Sequence, residues 1–473
     1  MKGAKVGFVR DVPGPKSKKI IQQLPEVGVP LYRDFLGTGV HMPIFKEGRG
    51  IYLTDVDENV YLDTHAAMAC ITLGYDAREL KEAIRKQAEE LPAILAMGPS
   101  LPRLELAKKL VQECAPGDLR NTARVQFETG GSAAIDLAIK MALFYGSITR
   151  KLTADKIIAF DGAYHGTGSL GMVVSDNPVF REKLPTGIEA IRVPYPYCYR
   201  CFLDLEYPEC DMACVKFAER LFESPSHGLY NPITNRSAVT ALIVEPVQSH
   251  GGTIVPPKEF YPRIRILCNK YDITFIDDEI CGFLWSGKHW FCCEHYNTTP
   301  DMIIIAKGFS GGFGPLGGII VSKHISDVLN ENSFWHMTTY QGHPLACAAA
   351  LANLNTIEKG GMLERVDQLG KYFVSQLKEL QKSHGTIGDV RGMGFMGALE
   401  FVRNRKTKVP APEIAKRVGL EGLRRGITGY TGLGDYGNVM HWHLPLIIRE
   451  EEVAKLVEIL DMCITVAEGK ERG

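Results

Sequence analysis

Between about residues 120 and 325 the chain repeats one pattern, a short run of consecutive apolar residues followed by a longer stretch with helical spacing of apolar positions. The runs are ARVQF (123–127), KIIAF (156–160), VTALIV (239–244), ITFID (273–277), MIII (302–305) and GGIIV (317–321). A strand that alternates apolar and polar residues has one wet face, whereas a strand apolar at successive positions is covered on both. The pattern predicts an α/β architecture, a largely parallel sheet with helices on both faces. Ligands of such sheets gather at the carboxyl ends of the strands, so the residues that follow each run are the first candidates for chemistry.

The flanking segments follow other rules. GIYLTDVDENVYLD, within 40–75, alternates apolar and polar residues around Asp57-Glu58-Asn59 and predicts a hairpin in a small subdomain. After about 345, helical periodicity in LACAAALANLNTIEKG and MLERVDQLGKYFVSQLKELQKS leads to GDVRGMGFMGALEFV and a closing amphipathic helix, REEEVAKLVEILDMCITVAEG, an α+β mass.

Composition narrows the partners. With 45% apolar and 23% charged residues and a formal net charge of -1, the chain has no field that would gather nucleic acid or an anionic membrane, so small neutral or zwitterionic partners are expected. The start, MKGAKVGFVRDVPGPKSKK, has no apolar run of signal length, and a cytoplasmic protein is expected. The twelve cysteines then read as reduced thiols. Four of them, Cys198, Cys201, Cys210 and Cys214, fall in one stretch (196–215) with C-x2-C-x8-C-x3-C spacing, compatible with a structural zinc site or with a loop of unligated thiols. No metal is assigned to the catalytic chemistry.

Four strand ends carry that chemistry. RVQFETGGSAAIDLAIKMAL puts Gly130, Gly131 and Ser132 at a helix N-terminus, where free amides suit a phosphate or simply cap the helix. FDGAYHGTGS offers Tyr164 and His165 for stacking on a planar ligand or covering the core. ITFIDDEICGF runs an apolar strand into Asp277, Asp278 and Glu279, of which at least one needs a cationic partner while Asp277 and Glu279 also suit a solvated loop. MIIIAKGFSGGFGPLGG brings Lys307 to a strand end among glycines, where an amine can form a Schiff base with an aldehyde whose ring packs flat on the chain. A carboxylate holding a pyridinium nitrogen protonated would make that ring an electron sink, as pyridoxal phosphate chemistry requires.

In this order the motifs YLD (61–63), TGGSAA (129–134), AYHG (163–166), VEPVQSHGG (244–252), IDDEICGF (276–283), PDMIIIAKG (300–308) and TTYQGHPLACAAA (338–350) resemble the class III pyridoxal-phosphate-dependent aminotransferases of fold type I, over about 40–465. The resemblance implies a large domain, 81–345, with a mostly parallel sheet and the Cys-rich insertion. It also implies a smaller α+β domain built from the N-terminal segment 1–80 and the C-terminal segment 346–473. Lys307 would be the Schiff-base lysine that moves the Cα proton, and Asp278 the partner of the ring nitrogen. Ile280 and Tyr164 would pack on the two ring faces, His165 would line the cofactor, Gln248 would lie near the ring hydroxyl and Glu245 near the mouth. Gly131 and Ser132 would bind the phosphate together with Thr339 of a neighbouring subunit, which makes the protein a homodimer with shared sites.

The resemblance has gaps. The phosphate loop reads Gly130-Gly131-Ser132-Ala133-Ala134 where the family has Ser-Gly-Ser/Thr-Glu-Ala, and the positions of three substrate-carboxylate arginines carry His165-Gly166-Thr167-Gly168, Gly282-Phe283-Leu284-Trp285-Ser286-Gly287 and about His441. Without an arginine fork, a glutamate/2-oxoglutarate pairing loses its recognition element. Arg391 is a substitute or a structural residue, and Trp285, His441 and Trp442 line a pocket for a larger, less charged substrate or belong to the core. The expected activity is transfer of an amino group between an amine or ω/β-amino substrate and an oxo acid. A lyase eliminating a β-substituent from a hydroxylated or phosphorylated amine and an amino-acid epimerase share the same scaffold. A noncatalytic binding protein would instead bind no chromophore at Lys307.

Overall fold

A computed structural model describes residues 7, 9, 11–28, 40–150, 155–176 and 187–469. The chain divides into two compact units, the described residues of 1–78 with those of 360–473, and Glu79–Lys359.

The larger unit is organised by seven strands: β1 (Arg124–Glu128), β2 (Lys156–Phe160), β3 (Glu189–Val193), β4 (Val239–Val244), β5 (Thr274–Asp278), β6 (Met302–Ile305) and β7 (Gly317–Val321), in the order β1-β7-β6-β5-β4-β2-β3. Strand β7 is antiparallel to β6 and β1, and the remaining pairings are parallel. Every residue of β4, β5, β6 and β7 is buried, as consecutive apolar residues require. Helix α1 (Gly131–Arg150) lays Ile135, Ala138, Ile139 and Ala142 against Ile243, Ile276, Ile304 and Ile319. Each such isoleucine contributes about 1.5–3 kcal/mol by leaving water. Residues 131–149 are long and apolar enough to cross a membrane, and here that apolar length is used as a core helix.

Two features differ from the pattern reading. Strand β3 carries EAIRV, and its residues from Glu189 to Arg192 all keep some exposure, so it has no doubly apolar run to betray it; it is the edge of the sheet. Helix Pro344–Lys359 falls beyond the boundary expected at 345, yet it belongs to the larger unit, where it packs on helix Leu101–Lys109.

The smaller unit joins the two ends of the sequence through one sheet. Tyr52–Asp55 and Val60–Asp63 form the expected hairpin with Tyr52 opposite Leu62, and the strand Val60–Asp63 takes Ile427–Thr428 as a parallel neighbour. A second sheet is built on the hairpin Ile387–Met393/Met396–Asn404, with Val439–His443 and Tyr430–Leu433 beside it. Helix Met362–Ser383 approaches that hairpin so closely at Gly370 that a Cβ there would lie 2.3 Å from the Gly394 carbonyl oxygen.

After Val60–Asp63 the backbone takes a left-handed turn in which Ala66, Ala67, Met68 and Ala69 have φ of 50°, 49°, 63° and 62°. Each such non-glycine residue costs about 1–2 kcal/mol, so the turn must be held. The Asp63 carboxylate holds it, accepting hydrogen bonds from His65 N (3.0 Å), Ala67 N (2.9 Å), the Thr428 hydroxyl (2.9 Å) and the Tyr75 hydroxyl (2.6 Å).

Candidate active site

Strand β6 ends at Ile305, Ala306 is extended, and Lys307 enters a single tight turn, Lys307–Ser310, with φ of 49°. A lysine in the left-handed region is strained, and such strain persists only where its surroundings hold it. Asn353 Nδ2 does so by donating to the Gly308 and Phe309 carbonyls (2.8 and 3.2 Å), while Lys307 Nζ donates to Cys281 Sγ at 2.8 Å. The glycines around Lys307 are thus explained in part by backbone: Gly311 follows it with φ of 63°.

Asp278 closes the neighbouring strand β5. Its side chain is 3% exposed, Oδ2 lies 2.7 Å from His165 Nδ1, and Oδ1 accepts from Ile280 N at 3.1 Å. His165 is therefore the partner that a buried acid at this strand end requires. Its own amide donates to Ser175 Oγ (2.9 Å), and its Nε2 is buried with no hydrogen-bond partner among the described residues.

The strand's period of two sends Asp277 and Glu279 to the opposite face, where both are fully buried. This corrects the reading of a solvated acidic loop. Asp277 accepts from the Tyr261 hydroxyl (2.6 Å) and Glu279 from Cys293 N (2.8 Å). Burial pushes Asp277 up to about 7 and Glu279 well above the usual carboxylate range.

The remaining candidates surround these two strand ends. Gly131 opens α1, and a Cβ on it would lie 3.0 Å from Ile280 Cδ1 and 3.4 Å from Ala306 Cβ, so the turn, Ile280 and the residue before Lys307 share one wall. Ser132 Oγ faces Gly166 (φ 86°), where a Cβ would sit 2.5 Å away. Tyr164, half-buried, packs its ring on His250 with centroids 5.0 Å apart. Gln248 donates through Nε2 to the Asp161 carbonyl (2.8 Å), and its buried Oε1 has no partner among the described residues. Glu245 is buried, accepting from Tyr164 N and Ser249 N (both 3.1 Å). Burial, aided by the charge of Asp278, pushes its pKa up to about 7.

Thr339 is exposed on a loop whose neighbours Thr338 and His336 bond to Glu128 at the end of β1 (2.8 and 2.7 Å). Trp285 and Trp442 are fully buried core residues, so neither lines an open pocket. Arg391 is engaged by Asp389 and the buried Glu400, both at 2.8 Å, and takes the structural role. Cys198, Cys201, Cys210 and Cys214 are not joined by disulfides and line one cavity of about 20 Å³. Burial and the neighbouring thiols push Cys198 and Cys214 up to about 11.

Three residues escaped the sequence reading. Cys281 receives the Lys307 bond, and His250 packs on Tyr164 with its pKa pushed down to about 4 by burial and then by the Lys307 charge. Asp136, on α1, accepts from the amides of Ser169, Leu170 and Gly171 (3.1, 2.9 and 2.8 Å) and fixes the loop after His165. Cys281 and His250 lie inside the quoted motifs, a few residues past strands β5 and β4, and that position was their only signal.

Comparisons with known proteins converge on one family. The aminotransferase class-III family model matches residues 37–464. Putrescine–pyruvate aminotransferase of Pseudomonas aeruginosa is 31% identical, the match covering 89% of this chain and 90% of that protein. Alanine/serine racemase of Pyrococcus horikoshii is also 31% identical, over 96% and 91% of the two chains. An amine transaminase from an uncultivated Pseudomonas species, solved with PLP bound, superposes with a TM-score of 0.82 at 28% identity, over 93% of this chain and 98% of that one.

Proposed function

The chain belongs to the class III aminotransferases, and on that premise we propose that Lys307, Asp278 and the Gly131–Ser132 turn form the site of its cofactor, pyridoxal 5'-phosphate. The substrates would be a primary amine or an ω- or β-amino compound and an oxo acid. The observation that carries the reading is register: Asp278 pairs with Ile304 across parallel strands, so the buried acid and Lys307 leave the sheet side by side at its carboxyl edge.

The residues present fit the cofactor. Two buried polar atoms, His165 Nε2 and Gln248 Oε1, have no hydrogen-bond partner among the described residues, and Gly131 leaves the wall it shares with Ile280 and Ala306 bare of side chain. When bound, the cofactor supplies a carbonyl for an amine and a ring that withdraws electrons from the bond to be broken.

This chain's own residues do the rest. Lys307 Nζ would be the amine that holds the cofactor and the base that takes and returns the substrate Cα proton. Cys281 gives that amine a resting partner at 2.8 Å. Asp278 would hold a proton on the ring nitrogen, and the His165 bond with the Ile280 amide leaves its carboxylate one orientation. The amides at the start of α1 and Ser132 Oγ would receive the phosphate. Tyr164, backed by His250, and Ile280 would flank the ring, with Gln248 near its hydroxyl.

Two further readings belong here. A homodimer is supported by apolar side chains left in water on adjoining segments, Leu101 (73% exposed), Trp335 (67%) and Tyr340 (63%), with Gln341 Nε2 bonding the Ala96 carbonyl between them at 3.3 Å. In that dimer Thr339 would complete the partner's phosphate site. A cytoplasmic location would suit a chain whose twelve cysteines are not joined in any disulfide.

Similarity to the racemase supports a second reading, amino-acid epimerisation. One half-reaction separates the two. Purified holoenzyme given a primary amine or a single-enantiomer amino acid without an oxo acid should accumulate pyridoxamine phosphate, seen in the cofactor spectrum. Unchanged cofactor with loss of optical purity in the amino acid would replace the transaminase reading by the racemase.

A further inference from the structure

The smaller unit contains a second concentration of chemistry that the cofactor reading does not use. His441 and His443 occupy alternate positions of the strand Val439–His443, so both imidazoles stand on one face, while Trp442 between them points to the other and packs on Phe373 with centroids 6.1 Å apart. His65 reaches the same place from a segment more than 370 residues earlier in the chain. Its ring centroid lies 4.8 Å from that of His441 and 5.5 Å from that of His443, and the two strand histidines are 5.2 Å apart.

All three side chains are buried, and each offers a ring nitrogen lying within 4.8 Å of the others. Two imidazole nitrogens bound to one tetrahedral zinc, at Zn–N of about 2.0–2.1 Å, are roughly 3.3 Å apart, so these rings need only small rotations to share one ion. Tyr430 stacks on His65 (centroids 5.4 Å, planes 6° apart) and tilts against His441 (5.5 Å), which limits how the rings can turn. The strained turn at Ala66–Ala69 begins immediately after His65, and the Asp63 carboxylate that holds the turn also receives the His65 amide. Strain sustained by a dedicated carboxylate beside a functional side chain is how a fold fixes a ligand before the ion arrives.

We infer that His65, His441 and His443 form a binding site for a divalent transition-metal ion of the zinc class, with three imidazole ligands and one coordination position left open. Carboxylate sites favour magnesium or calcium, whereas an all-imidazole set suits zinc, cobalt, nickel or copper. Three protein ligands rather than four leave room for water or for a ligand donor atom. No residue assigned to pyridoxal phosphate takes part.

The test uses full-length holoenzyme freed of metal with a chelator, then titrated with zinc(II) and, separately, cobalt(II). The expected result is one equivalent per chain, with cobalt absorption bands of nitrogen coordination and no thiolate charge-transfer band. H441N and H443A should each lose that equivalent, while the double variant Cys198→Ser with Cys210→Ser should keep it. Unchanged pyridoxal phosphate content and an unchanged melting temperature in chelator show that the histidine variants are folded; H65Q, on a different segment, serves if either strand variant fails that check. Absence of metal binding by the wild type overturns the inference. So does a thiolate band, which would assign the ion to the cysteine loop, or full retention of metal by the folded histidine variants.

Discussion

Gly317 is the first residue of β7 and stands opposite Glu128, yet its missing side chain matters to a different residue, Gly130 in the turn proposed to hold the phosphate. A Cβ at 317 would lie 2.4 Å from the Gly130 carbonyl oxygen, 2.8 Å from its carbonyl carbon and 3.1 Å from Ala134 Cβ. That is about an ångström short of ordinary contact, and the obstacle is backbone, which cannot swing aside as a flexible side chain would. Overpacking of this kind costs about 1–3 kcal/mol. Alanine also restricts the unfolded chain, which returns about 0.4–1 kcal/mol to stability. That return is the same with and without cofactor, so it cancels in affinity. If the turn absorbs the clash, G317A should weaken pyridoxal phosphate binding by roughly 5- to 140-fold, the same 1–3 kcal/mol read at 1.4 kcal/mol per decade. Titration of apoenzyme by cofactor absorbance measures the affinity, and thermal unfolding of the apoenzyme measures strain left in the sheet. A variant that binds cofactor within twofold of wild type and unfolds at the wild-type temperature would refute the claim that β7 supports the phosphate turn.

Three further outcomes are expected. K307A should yield no borohydride-trapped cofactor adduct by mass spectrometry, and its transamination rate should fall by about 10²–10⁴-fold with loss of the proton carrier. Glu245, pushed up to about 7 by burial, binds its proton more tightly folded than unfolded, so its contribution to stability is present below its ordinary value near 4.5 and is lost as pH rises through 7; E245Q should flatten the fall of melting temperature with pH across that window, and an unchanged slope would count against a buried, proton-binding Glu245. Leu101→Glu places a charge in the exposed apolar patch and should turn a dimer into a monomer with weaker cofactor binding, as sedimentation and cofactor titration would show; a wild type already monomeric at working concentration would remove the dimer reading.

How much was legible in the residues follows from the range of the forces involved. The central strands β4 to β7 announced themselves because a strand buried on both faces must be apolar at nearly every position, and the tight turn after Asp57 announced itself by local backbone chemistry. Lys307 and Asp278 stood out for a related reason, since an ionisable group ending an apolar run has few explanations. Edge strand β3 lacked that signature because water satisfies part of it. What only the tertiary structure decided were the pairings between distant segments. It made His165 the partner of Asp278, 113 residues away, and Cys281 the partner of Lys307. It sent Asp277 and Glu279 into the interior, spent Arg391 on Glu400, and gathered His65, His441 and His443. Periodicity reports which face of an element is buried, but the identity of the group across from a buried side chain depends on strand order and register. Those are fixed by packing over the whole unit and leave no mark on the residues nearby.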